Sequence, residues 1–161
     1  MNKAKLKRIA FKALFLIIVV VISIFITVYL LCLDHCIGVA FDMQTLTYES
    51  WGWGRVLAEY KLDFESGSAE RNSYDYIGTL WDHAEETFTA AQQTKVRLAC
   101  AVSLMPLWKS EYYNPDVDDG DQWQTIMVYE NKEKTTCGSN AYPRAYSYVI
   151  DTIYSVFYEF E

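Results

Sequence analysis

The side chains whose types are suited to chemistry fall into a few short stretches. Trp51 and Trp53 flank Gly52 in a turn-like segment. Two rings that leave one side of a turn could stack on a sugar or anchor a protein partner, because aromatic side chains give large contact area at low entropic cost. The same rings could also dip into lipid headgroups or close one end of a core. Asp116, Asp118, Asp119 and Asp121 form an acidic loop with the look of a calcium site. An EF-hand needs Gly at position 6 and Glu at position 12. Counted from Asp116, Gly120 falls at position 5 and Met127 at 12; counted from Asn114, Asp119 falls at 6 and Thr125 at 12. Both registers fail, which leaves a solvated acidic turn.

Cys32, His35 and Cys36 offer soft ligands at short spacing, but a structural zinc takes four ligands and no second cluster follows. The histidines are His35 and His83 alone. Asp82, Glu85 and Glu86 stand beside His83 in what reads as a turn, yet a catalytic trio needs a nucleophile placed in space, which adjacency does not supply. No catalytic residue, metal or cofactor is expected. Trp51 and Trp53 remain as the candidate binding residues. Cys100 and Cys137 could form a disulfide in oxidising surroundings, or could be ordinary core thiols.

The charge pattern says where these residues stand. Lys3, Lys5, Lys7, Arg8 and Lys12 occupy a basic, acid-free tail, residues 1–12. All 21 acidic residues lie from Asp34 onward. So acidic a surface is a poor partner for nucleic acid or for anionic lipid. Between the halves, residues 13–33 carry no charge. About 20 apolar residues in a helix cross a hydrocarbon core, and the flanking cations put the N-terminus in the cytoplasm. The leading reading is therefore an uncleaved single-pass anchor through residues 13–33. Residues 34–41 would be a connector, and residues 42–161 an extracytoplasmic domain. A cleaved signal peptide, with Gly38-Val39-Ala40 as the processing site, is the competing reading.

The elements that must position the candidates can be read from periodicity. Residues 43–51 and 55–64 alternate as strands around the Gly-Trp-Gly turn, with Val56, Ala58, Tyr60, Leu62 and Phe64 on one face of the second. Residues 65–70 read as a turn, 72–79 as a third strand and 83–89 as a fourth. Thr89 and Gln92 form a capping box that opens a helix, which Pro106 should end. Residues 122–130 read as a strand with apolar residues on both faces, and 131–134 as a hairpin turn before a last strand ending at Cys137. Gly138 should release the chain from that strand in a conformation closed to other residues, and Pro143 should sit in the first turn of a helix. Tyr146, Ile150, Ile153 and Phe157 form the buried stripe of that helix.

Asp119, Gly120 and Trp123, a hairpin, and then Gly138 to Pro143 opening an amphipathic helix together resemble a module of Gram-positive bacterial cell-surface proteins and lipoproteins. The likeness follows element order over residues 42–160, with motifs in the last forty or so. It departs at Asn131-Lys132-Glu133, where Asp-Gly would be expected, and in having an apolar span in place of a lipobox. The resemblance implies fold and surface location, and no chemistry.

The expected architecture is α+β: an antiparallel sheet of five or six strands with two helices packed on one face, preceded by one transmembrane helix. The expected function is a non-catalytic, membrane-anchored binding or accessory module with a protein or cell-wall glycan partner. The alternative is a cell-envelope hydrolase with a carboxylate-based site, which two carboxylates in one pocket would favour.

Overall fold

The structure, a computed structural model, describes residues 3–52, 54–117, 120–130 and 132–158. Trp53, Asp118, Asp119 and Asn131 lie outside the described residues. The chain divides into two compact units, Met1–His35 and Cys36–Glu161. Helix α1 runs Lys3–Phe41, and its stretch Phe11–Phe41 is long and apolar enough to cross a membrane. Residues 34–41, read as a connector, are helical. In the second unit Cys36 and Ala40 are fully buried. Arg97 donates to the carbonyls of Ala40 (2.7 Å) and Phe41. A guanidinium on the last carbonyls of a helix satisfies orphan acceptors and complements the helix dipole. Its central carbon, Cζ, lies 4.2 Å from the Phe64 ring centroid.

The second unit is a seven-stranded sheet. Its strands are β1 (Met43–Gly52), β2 (Arg55–Asp63), β3 (Ser68–Tyr74), β4 (Leu80–Thr87), β5 (Glu111–Tyr113), β6 (Gln122–Tyr129) and β7 (Lys132–Ser139). Their order is β4-β3-β2-β1-β6-β7-β5. The expected all-antiparallel sheet of five or six strands is thus corrected to a mixed sheet, because β5 pairs parallel to β7. Lys134 fixes the chain that leads into β5, donating to the carbonyls of Pro106 (2.6 Å) and Trp108 (2.7 Å).

Two hairpins are also placed differently from the sequence reading. Asp63 Oδ1 accepts from the amides of Glu65 and Ser66, both at 2.9 Å, and Gly67 has φ +70°. The turn is therefore complete by Gly67, and β3 starts at Ser68. Asp75 Oδ1 in turn accepts from the amides of Ile77 and Thr79, and Gly78 has φ +87°. That Asx turn removes residues 75–79 from the expected third strand. The expected fourth strand, residues 83–89, is β4, which begins earlier at Leu80 and so carries His83 in a strand and not in a turn.

Helices α2 (Ala90–Val102) and α3 (Tyr146–Tyr154) share one core with one face of the sheet. The capping box is present: the Thr89 hydroxyl takes the Gln92 amide, and the Gln92 side chain takes the Thr89 amide. Helix α2 stops at Val102, ahead of Pro106. The chain turns at Leu104 (φ 53°) into a 3-10 turn, Met105–Leu107. Leu46, Tyr48, Tyr60, Leu62, Trp123 and Met127 supply the sheet side of the core, with Val96, Cys100, Val149, Ile150 and Ile153 from the helices. Along each strand, the residues that alternate with these face the other way.

Gly138 does not have a positive φ; those in this segment belong to Asn140 (51°) and Ala145 (62°). A Cβ on Gly138 would instead overlap the indole of Trp123 and the carbonyl of Ala141. Trp123 is 2% exposed and donates from Nε1 to that Ala141 carbonyl at 3.1 Å. A Cβ on Gly120 would likewise overlap the Asn140 side chain, and the Asn140 amide donates to the Asp121 carbonyl. The two halves of the C-terminal motif are thus one interlock, in which each glycine makes room for a side chain of the other half. Pro143 precedes α3 rather than opening it, and its carbonyl accepts from the Tyr146 amide at 3.2 Å.

Candidate functional site

The end of the sheet opposite Met43 carries the β1–β2 and β3–β4 hairpins. Trp51 is the last but one residue of β1 there, and it is half-buried. It walls a hollow on each face of the sheet. On the helix side lies a cleft of about 420 Å³ among Tyr48, Trp51, Trp123, Tyr142, Tyr146 and Tyr154, with Asp121 and Asp151 at its edge. The rings pack on one another: centroids are 4.6 Å apart for Trp123–Tyr146, 4.8 Å for Tyr142–Tyr146 and 6.0 Å for Tyr48–Tyr154. Tyr146 and Tyr48 share a hydroxyl hydrogen bond at 3.1 Å. Burial, above all, pushes the hydroxyls of Tyr48, Tyr146 and Tyr154 well above their usual range. They act as neutral hydrogen-bonding groups, not as phenolates.

On the other face lies a hollow of about 600 Å³ lined by Glu49, Trp51, Val56, Glu59, Tyr74 and Ile77, with Arg55 and Gly78 at its edge. Its geometry comes from a β-bulge. Ser50 pairs with Ala58 and Trp51 with Val56, so Leu57 is an extra residue. Beyond it the parity of β2 is reversed. Val56, expected on the buried face with Ala58 and Tyr60, lies opposite Trp51 and lines this hollow, whereas Leu57 lines the aromatic cleft. Bulges recur where a sheet must re-aim a side chain.

The bulge also sets Glu49 directly opposite Glu59, and Glu59 opposite Asn72. Directly paired residues share a face with Cβ atoms about 4.5–5.5 Å apart. Trp51 Nε1 donates to Glu49 Oε2 at 3.0 Å. The Asn72 amide donates to Glu59 (3.2 Å) and Glu70 (2.8 Å), and its oxygen lies 2.8 Å from His83 Nδ1. Tyr74 has its hydroxyl pushed up by desolvation and then by Glu59, Glu70 and Glu49. The β3–β4 hairpin beside the hollow exposes Tyr76 (76%), Ile77 (61%), Leu80 (50%) and Trp81 (69%).

The candidate binding residues thus divide. Trp51 is placed at this end of the sheet, and Trp53 lies outside the described residues. Cys100 is a fully buried thiol of α2, pushed up to about 12 by desolvation. Cys137 is a thiol whose neighbours Thr136 and Gly138 face the core. It therefore points to the face without helices, where its Sγ donates to the Ser110 carbonyl at 3.5 Å. The sheet stands between the two sulfurs, and the fold does not bring them together. In the acidic loop, Asp116 is exposed and Asp121 accepts from the Tyr142 hydroxyl at 3.4 Å. Glu49, Glu59 and Tyr74 were not singled out from sequence, since their grouping depends on register. Compared with known proteins, the chain matches no family model and no curated protein.

Proposed function

We propose that the protein is a membrane-anchored module with its N-terminus in the cytoplasm, which displays the Cys36–Glu161 unit outside the cell to bind a protein or a cell-wall glycan. On this reading it is non-catalytic. The observation that supports it best is the position of Trp51: a half-buried tryptophan near the free end of the sheet, a residue that lines concave surfaces on both faces. A ring anchored on one side and accessible on the other is the form that binding hot spots take. Trp53, next but one in sequence, is part of the same proposal.

The test is capture of partners from cross-linked membranes by the wild-type chain and by Trp51→Ala. The variant should keep its melting temperature within a few degrees and lose the captured partner. A variant that stays folded and still captures it would place the contact elsewhere. Protease added to intact cells should remove the C-terminal unit, and its survival in intact cells would refute the orientation.

The hydrolase reading has Glu49 and Glu59 in its favour, as two carboxylates lining one hollow. Acid–base catalysis by a carboxyl pair needs one held neutral and the other ionised, which comes from unlike surroundings. These two share one face and one hollow, and each accepts from a neutral donor, Trp51 or Asn72, an arrangement better suited to holding a positive charge. Release of sugar from cell-wall glycan, abolished by Glu59→Gln, would reverse the preference.

A further inference from the structure

We infer that the hollow between Glu49, Glu59, Trp51 and Tyr74 is a site for an organic cation, an alkylammonium group borne on an apolar body. This rests on the binding-module reading and gives the ligand chemistry of one side of Trp51. Its volume, about 600 Å³, falls within the range of small-molecule sites, roughly 300–1,000 Å³. The lining combines two carboxylates, two ring systems and the aliphatic side chains of Val56 and Ile77. Aromatic faces attract ammonium groups, and Trp does so best. A hard metal ion would want six or more oxygen ligands, and the aliphatic and aromatic walls cannot supply them. An ammonium with hydrocarbon attached suits the carboxylates, the rings and the aliphatic walls alike.

The electrostatics lead the same way. Glu49 and Glu59 are directly opposed like charges, an arrangement that destabilises a strand pair unless a cation relieves it. Among the described residues, neither has a cationic partner within ion-pair distance. Among the described residues Arg55 is the one cation lining the hollow, and it is turned to the Tyr76 carbonyl, 3.5 Å from Nη1. Glu70 adds a third negative charge through the shared Asn72 amide. The Tyr74 hydroxyl beside them is pushed up first by desolvation and then by Glu59, Glu70 and Glu49. Both carboxylates are also held in place beforehand, Glu49 by the Trp51 indole and Glu59 by Asn72. Each bond uses one oxygen and leaves the other for a ligand. Fixing the groups before binding reduces the ordering cost of association.

The Trp51 indole N–H, bonded to Glu49, is a reporter built into the site. The full chain in maltoside micelles, with ¹⁵N-labelled tryptophan, would be titrated with tetramethylammonium chloride and with n-butylammonium chloride. Sodium chloride at the same ionic strength is the control. The indole signal that is absent from Trp51→Phe should move saturably with the organic cations and not with sodium. Glu49→Gln with Glu59→Gln should weaken that response by about tenfold or more, as loss of two charge-assisted contacts requires. The remaining indole signals keep their positions in the double variant if it is folded, so the comparison stays interpretable. A response that is linear, that sodium reproduces, or that the double variant retains would overturn the site. Loss of partner capture in Trp51→Ala with no ammonium response would overturn the cation site and leave the binding module standing.

Discussion

Gly138→Ala adds one methyl group at the point where β7 passes beneath Trp123. The added Cβ would overlap the indole Nε1 and Cε2 and the Ala141 carbonyl. Two of these are the partners of one hydrogen bond, Trp123 Nε1 to Ala141 at 3.1 Å, so the methyl group must separate them. Trp123 is 2% exposed and packs against Trp108, Tyr112, Tyr142 and Tyr146. It has little room to retreat. Overpacking of this kind costs about 1–3 kcal/mol, and a lost hydrogen bond adds about 0.5–1.5 kcal/mol. The expected destabilisation is roughly 2–4 kcal/mol, with Gly138→Val at the upper end or beyond. For a unit of this size that lowers the melting temperature by roughly 6–20 °C. Near-UV circular dichroism reports it directly, since the tryptophans are the probe. The cause is separable by a cycle: in a Trp123→Phe background the smaller ring leaves space, and Gly138→Ala should cost less than about 1 kcal/mol. A Gly138→Ala variant that melts with the wild type, or that costs as much in the Phe background, would refute the interlock.

Thr89→Ala removes the hydroxyl that receives the Gln92 amide and should destabilise α2 by about 1 kcal/mol in denaturant melts. Asp63 has its carboxyl held below the usual range, chiefly by the Ser66 amide. A folded-state value below the unfolded one of about 3.9 stabilises the protein above that pH and is lost as pH falls through the folded value. The difference in stability between wild type and Asp63→Ala should therefore be full at pH 6 and shrink below about pH 4. Glu59→Gln, measured without ligand, should raise stability by about 0.2–1 kcal/mol by removing a like-charge pair; a fall would show that Glu49 and Glu59 do not repel.

What the sequence made legible is what local chemistry controls. Thr89 and Gln92 are three residues apart, and their capping box formed as read. Strands β1, β2 and β6 announced themselves by alternation and stand within a residue or so of their expected bounds. The failures are non-local. β5 is three residues long and exists by pairing parallel to β7, about 26 residues on. Gly138 carried a signal, but its cause is the Trp123 indole rather than its own φ. Lys134 is a cation on the buried side of β7, which no pattern could match to carbonyls 26 and 28 residues away. The carboxylate hollow was hidden for the same reason. Glu49 and Glu59 become neighbours only once the register is known.

That register was encoded, though not in the alternation alone. Gly52 pairs with Arg55 across the hairpin tip. Continued without interruption, the same ladder would set Tyr48 opposite Glu59 and Glu49 opposite Ala58. Directly opposed residues share a face, so each pair would join an apolar side chain to a charged one, and a one-residue slip misplaces every side chain beyond it. One extra residue in β2 removes every conflict, and Leu57 is that residue. Deleting Leu57 should therefore leave Trp51 opposite Val56 and Glu49 opposite Glu59. The loss is confined to the packing of one half-buried leucine, about 1–2 kcal/mol. Deleting Lys61, in the regular part of the same strand, offers no such repair. It must drive the fully buried Leu62 or its neighbours to the wrong face, and should cost at least about 3 kcal/mol. Melting of the two deletion variants side by side decides the matter. If loss of Leu57 proves as damaging as loss of Lys61, β2 has no bulge, and the hollow that depends on it has no walls.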